Sequence, residues 1–164
     1  MRRSLVITAV CVLVLAAPAA AGLPKAGRLV PGRSLGGIRL GESPRGVRST
    51  LGKFYGVCSS CTIRTWYFTY RPFHKQGLAV EFERGRVSGV YTLWRPRGWH
   101  APHRLGFGSS SLAVHAATHA KLTVVCTGYE TLVTDTAKVS TAYYLYAGKL
   151  WGFGLFRPGA SPCR

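Results

Sequence analysis

Hydrophobic and polar positions follow three different rules along the chain. Leu5 to Ala17 is an apolar run. Two later segments repeat at helical spacing. Val47 and Leu51 lie four apart, after Ser43 and Pro44 and before Gly52. A serine hydroxyl can cap free backbone N–H groups, proline suits the first helical position, and glycine can end the helix in the left-handed region. Ser110 or Ser111 likewise starts a helix carrying Leu112, Val114, Ala117 and Thr118. Most of the remainder reads as strand. Thr62 to Tyr70 is rich in β-branched and aromatic residues, and Leu78, Val80 and Phe82 alternate with polar or small neighbours up to Glu83. The turn Glu83-Arg84-Gly85-Arg86 leads into Val87 to Trp94, a hairpin signal. Val139 to Tyr146, the turn Ala147-Gly148-Lys149 and Leu150 to Phe156 echo it.

Two alignments connect these patterns. Ile38, Leu40, Gly41, Ser43 and Val47 fall opposite Leu105, Phe107, Gly108, Ser110 and Val114. In a second register, Ala79, Phe82, Gly85, Arg86, Val87, Gly89 and Val90 fall opposite Ala142, Leu145, Gly148, Lys149, Leu150, Gly152 and Phe153. Internal duplication is the expectation. The predicted fold class is α+β: two repeats, each a short helix followed by an antiparallel β-meander, over 22–94 and 105–164. Residues 95–104, with Pro96, Gly98 and Pro102, read as a linker.

The apolar run changes the picture of the N-terminus. Arg2 and Arg3 precede it, and Pro18-Ala19-Ala20-Ala21 offers small residues for cleavage, so 1–21 reads as a secretory signal peptide. The run is shorter than the roughly 20 residues of a membrane span. Removal leaves about 143 residues, with no further segment long and apolar enough to cross a membrane. Secretion, or a periplasmic or wall-associated location, is expected. Four cysteines remain: Cys58, Cys61, Cys126 and Cys163. An even count in an exported chain favours two disulfides, and of three possible pairings Cys58–Cys61 with Cys126–Cys163 is preferred.

Charge narrows the partners. Lysine and arginine number 22 against 5 acidic residues, a net charge of +17 that loss of Arg2 and Arg3 takes to +15. Such a field attracts polyanions and anionic lipid surfaces, although an arginine-rich coding bias would give the same surplus. Secretion disfavours nucleic acid. Aromatic residues interleave with arginines, which can stack on and hydrogen-bond a partner. The expected binding residues are Arg64, Trp66, Arg71, Arg84, Arg86, Trp94, Arg95 and Arg97.

Catalytic constellations are weak. Cys58-Ser59-Ser60-Cys61 has redox spacing, but a strand rather than a helix follows, which favours a structural disulfide. His115 and His119 lie four apart without the adjacent Glu of a metalloprotease, and His100 and His103 fall in the linker. Glu81 and Glu83 share a strand face beside Arg84 and Arg86, where a solvated, salt-bridged hairpin edge is the natural reading. No nucleophile elbow or phosphate loop occurs. No enzyme activity, metal or cofactor is expected.

The string Gly37-Ile38-Arg39-Leu40-Gly41-Glu42-Ser43-Pro44, continuing to Val47, Leu51 and Gly52, with Val80-Glu81-Phe82-Glu83-Arg84-Gly85-Arg86-Val87, resembles small helix-plus-meander domains of bacterial envelopes. Among these are the small lipoprotein of the outer-membrane β-barrel assembly machine and the tandem-repeat β-lactamase-inhibitory proteins. The resemblance covers 37–93 well and 105–156 more faintly, and it implies an architecture without functional residues. Together these readings predict a secreted, basic, non-catalytic binding protein of the cell envelope or exterior. Its partner would be another envelope or secreted protein, or an anionic polymer or lipid surface. The alternative is a proteinaceous inhibitor of a secreted enzyme.

Overall fold

The structure, a computed structural model, describes residues 27–69, 77–93 and 98–164. The signal peptide expected over 1–21 lies outside them.

Sequence dictates the helices through their starts. Ser43 accepts a hydrogen bond from the Gly46 amide at 3.2 Å and caps α1 (Pro44–Leu51). Ser110 caps α2 (Ser111–Thr118) through the Ala113 amide, also at 3.2 Å. Each helix buries a single apolar stripe, Val47 and Leu51 in α1 and Val114 in α2. The peptide before each helix is tied to the sheet, by Gly41 N–H to the Val87 carbonyl (2.8 Å) and by Gly108 N–H to the Leu150 carbonyl (2.8 Å). Replacing Ser43 with alanine leaves the first-turn donor without its acceptor. The expected cost is about 1 kcal/mol of stability, read as a lower denaturation midpoint with an unchanged slope.

The strands are β1 (Leu29–Val30), β2 (Ser34–Leu35), β3 (Gly56–Val57), β4 (Arg64–Thr69), β5 (Gly77–Glu83), β6 (Arg86–Leu93), β7 (Leu122–Cys126), β8 (Tyr129–Asp135), β9 (Ser140–Tyr146) and β10 (Lys149–Phe156). β1 and β2 form a small antiparallel pair. The other eight build one antiparallel sheet in the order β3-β4-β5-β6-β10-β9-β8-β7. At its centre β6 meets β10, pairing Gly154 with Tyr91, Leu155 with Val90 and Phe156 with Gly89. Two of those three pairs set a glycine against an aromatic residue, so the large rings lie across the seam without collision.

This sheet corrects the expected fold of two helix-plus-meander repeats. Eight of the strands gather into one sheet that dominates the described chain, and the two α-helices contribute only eight residues each. The physical reason is a shared core. Val47, Trp66, Phe68, Val80 and Val87 pack in the same cluster as Val114, Leu132, Tyr143, Leu150 and Phe153. Neither stretch closes that core alone. Leu29 and Leu35 of the β1–β2 hairpin join it, and so do Trp99, Ala101 and Leu105.

The expected linker therefore behaves differently where it is described. Trp99 is buried, and Leu29 N–H reaches the His100 carbonyl at 2.8 Å while His100 N–H reaches the Gly27 carbonyl at 3.0 Å. A side chain on Gly27 would meet the Trp99 ring within 2.4 Å, so the N-terminal segment packs flat on the indole. Both preferred disulfides form, Cys58–Cys61 and Cys126–Cys163.

Candidate functional site: an aromatic cleft on the open sheet face

Alternation along each strand sends one set of side chains to the main core beneath the helices and the other set to the opposite face. On that opposite face Ala79, Tyr91, Ala142, Tyr144 and Phe156 form a second cluster, with Tyr67, Leu93, Tyr129 and Trp151 packed against it. The ground under the rings is made of residues with little side chain. A Cβ on Gly89 would stand 2.7 Å from Glu81 Oε2 and 2.9 Å from Phe156 Cδ1. One on Gly154 would stand 2.5 Å from Phe156 Cε2 and 2.6 Å from the Tyr144 hydroxyl. β10 bulges against β9 between Leu150 and Gly152, and on its β6 side Thr92 Oγ1 accepts from Phe153 N–H at 2.9 Å.

The result is a cleft of about 550 Å³, lined by Tyr67, Tyr91, Tyr129, Tyr144, Tyr146 and Trp151 together with Thr92, Leu93, Thr127, Gly128 and Arg164. That volume falls within the about 300–1,000 Å³ of small-molecule sites. Tyr146 and Trp151 meet edge to face, 4.8 Å between ring centres, and Tyr146 is half exposed. Tyr129 and Tyr144 pack at 5.8 Å in the same manner.

Arg164 is the charged residue of this lining, and its charge is already matched. Its Nε lies 2.7 Å from Glu81 Oε1 and its second amino group donates to Glu81 Oε2 at 2.9 Å, a two-pronged pair. The guanidinium also sits 4.3 Å from the Phe156 ring centre. The Tyr129 hydroxyl exchanges hydrogen bonds with the Arg164 backbone. The Cys126–Cys163 bridge fixes the strap that follows β10, residues 157–164, to the end of β7.

Two phenols of the cleft, Tyr91 and Tyr144, are held in the protonated form. Burial, reinforced by the neighbouring Glu81 carboxylate, raises Tyr91 well above the ordinary tyrosine value, and burial raises Tyr144 likewise. Tyr143, on the core side, is pushed up to about 12 by burial. Tyr91 and Tyr144 thus present neutral phenols to the cleft. Among the described residues no group of three or more His, Cys, Asp or Glu side chains is placed to hold a metal ion.

The residues expected to bind from sequence lie elsewhere. Trp66 is buried in the main core, stacked on Tyr55 at 4.1 Å, with the Arg48 and Arg64 guanidinium groups over its ring at 5.5 and 5.6 Å. Trp66 therefore presents its ring to the core rather than to the surface. Arg84 and Arg86 sit at and beside the β5–β6 turn, where Arg86 donates to the Gly41 carbonyl at 3.4 Å. None of these four lines the cleft. Arg71, Trp94, Arg95 and Arg97 lie outside the described residues. Glu83 meets the expectation of a solvated pair, bonded to Arg157 at 3.2 Å, whereas Glu81 is buried rather than solvated. The signal for the cleft was the alternation Tyr144, Tyr146 on β9 against Tyr91 on β6, which gains meaning only once β6 and β10 are known to be neighbours.

No protein-family model matches the sequence, and no curated protein does. Among solved structures, the chain superposes on the crystal structure of an extracellular protein containing a SCP domain from Bacillus anthracis, with a TM-score of 0.55 and 9% sequence identity. The match covers 73% of this chain and 44% of that one. At this identity the likeness concerns the fold alone.

Proposed function

We propose that this chain is an exported, non-catalytic binding protein that stacks a neutral, hydroxylated ring ligand, a saccharide segment, in the aromatic cleft of its open sheet face. The observation that carries this reading is the cleft's composition: five tyrosines and a tryptophan around a single arginine whose charge Glu81 matches. Flat C–H faces of a sugar ring suit aromatic platforms, and its hydroxyls suit phenols and the peptide groups of Thr127 and Gly128. Two disulfides and the signal-peptide pattern of residues 1–21 support export, since such bridges persist in oxidising compartments. No helix of the described residues is long and apolar enough to cross a membrane.

The positive surface does not build this site. Arg45 and Arg48 belong to α1, which packs on the opposite side of the sheet, and Lys53 follows it. A neutral ligand in a charge-matched cleft binds with little dependence on ionic strength, because no net charge is there to be screened.

Titration calorimetry with cellotetraose and the tetramer of N-acetylglucosamine, each at low and high salt, tests the reading. At least one is expected to bind one-to-one, and Trp151→Ala is expected to weaken it about tenfold or more, equivalent to roughly 1.4 kcal/mol. Binding only to a heparin tetrasaccharide, steeply weakened by salt and indifferent to Trp151→Ala, would move the site to the basic surface and sink the cleft as the ligand site.

A further inference from the structure

Beside the cleft, the chain holds one of its own side chains as if it were a ligand. Glu81 sits near the middle of β5 with its side chain only 6% exposed, an uncommon place for a carboxylate. Its two oxygens are met by Nε and one amino group of Arg164, the fork geometry that guanidinium satisfies and ammonium does not. Phe156 and Tyr91 supply ring faces, 4.3 and 5.7 Å from the guanidinium carbon. Gly89, opposite Phe156 on the seam, leaves the space in which carboxylate and ring stand together. The remaining amino group donates to the Ser161 and Cys163 carbonyls at 2.7 Å, so the last turn of the strap wraps around its own cation.

We propose that Glu81, Tyr91 and Phe156 form a receptor for a guanidinium group, occupied here by Arg164 of the same chain, and that an external guanidinium takes the place when Arg164 withdraws. The inference goes beyond the saccharide reading and does not depend on it. Carboxylate, two aromatic faces and the glycine space all belong to strands β5, β6 and β10, whereas the cation belongs to a strap held through the Cys126–Cys163 bridge. The receptor is therefore built by the sheet independently of its occupant. Tethering keeps Arg164 at a high effective concentration, of about millimolar order for short connections, so weak free guanidines compete poorly while the bridge is intact.

The test uses ethylguanidinium and ethylammonium chlorides with the full mature chain. Arg164→Ala is expected to bind ethylguanidinium one-to-one, at least about tenfold tighter than the unsubstituted chain and about tenfold tighter than it binds ethylammonium. The double variant Arg164→Ala with Glu81→Gln is expected to bind neither. A folded Arg164→Ala protein that takes up no ethylguanidinium overturns the proposal, as does equal uptake when Glu81→Gln is added. If Arg164→Ala does not fold, the unsubstituted chain decides. Its Arg164 Nε–H resonance should move toward that of a free arginine as ethylguanidinium is added, and an unmoved resonance at saturating concentration overturns the proposal equally.

Discussion

Trp66→Ala is expected to lower the free energy of unfolding by about 3–5 kcal/mol, the range for emptying a large aromatic site in a packed core. Trp66 is 1% exposed and meets Tyr55, Phe82 and Phe68 with ring centres 4.1, 4.6 and 6.3 Å away. Removing it opens a cavity that three neighbouring rings cannot fill without leaving their own rotamers. Trp66→Phe should cost much less, because a ring remains and the indole N–H, which has no acceptor, disappears with the substitution. Chemical denaturation separates the two. A Trp66→Ala chain within about 0.5 kcal/mol of the parent would fit a surface residue and contradict this packing.

The second large effect belongs to the Cys126–Cys163 bridge. It spans 37 residues of sequence, and releasing a loop of that length restores chain entropy to the unfolded state worth about 4 kcal/mol. The same bridge presents Arg164 to Glu81, so the double replacement Cys126→Ala, Cys163→Ala also loosens the partner of a buried carboxylate. The paired loss is expected to exceed that for Cys58→Ala, Cys61→Ala, whose separation of three gives about half the entropic term. Thermal unfolding of the two double variants under non-reducing conditions checks the order. Equal stabilities, or a less stable Cys58/Cys61 variant, would contradict the role given to the strap.

Local chemistry was readable before any coordinates. Ser43-Pro44 and Ser110-Ser111 announce helix starts because a capping hydroxyl acts within three residues of itself. The turns at Arg84-Gly85 and Ala147-Gly148 announce hairpins because φ is positive at both residues of each. The adjacency of β6 and β10 was not readable, since its pairs join residues more than sixty positions apart. Without that seam the chain reads as two separate units, and each aromatic residue is free to be assigned to either face. Trp66 draws notice through its neighbouring arginines, although strand parity puts it with Phe68 on the core side. Tyr91, Tyr144 and Trp151 share no short-range motif, so only the folded sheet unites them. Glu81 and Glu83 show the same limit. They are two apart on one strand, yet only Glu81 meets Arg164, whose approach depends on the disulfide that ties the segment after β10 to β7. Net charge is silent on placement in another way, because a sum over the chain says nothing about which face is basic.

Ligand is expected on the sheet face away from the helices, at the aromatic cleft. A crystal structure of the mature chain with the neutral tetrasaccharide it binds would test this most directly. A sugar ring is expected to lie against Trp151 and within reach of the Tyr91 and Tyr146 side chains, with Glu81 and Arg164 still paired beneath it. A ligand seated instead on the helix-covered side, against Arg45 and Arg48, would contradict it.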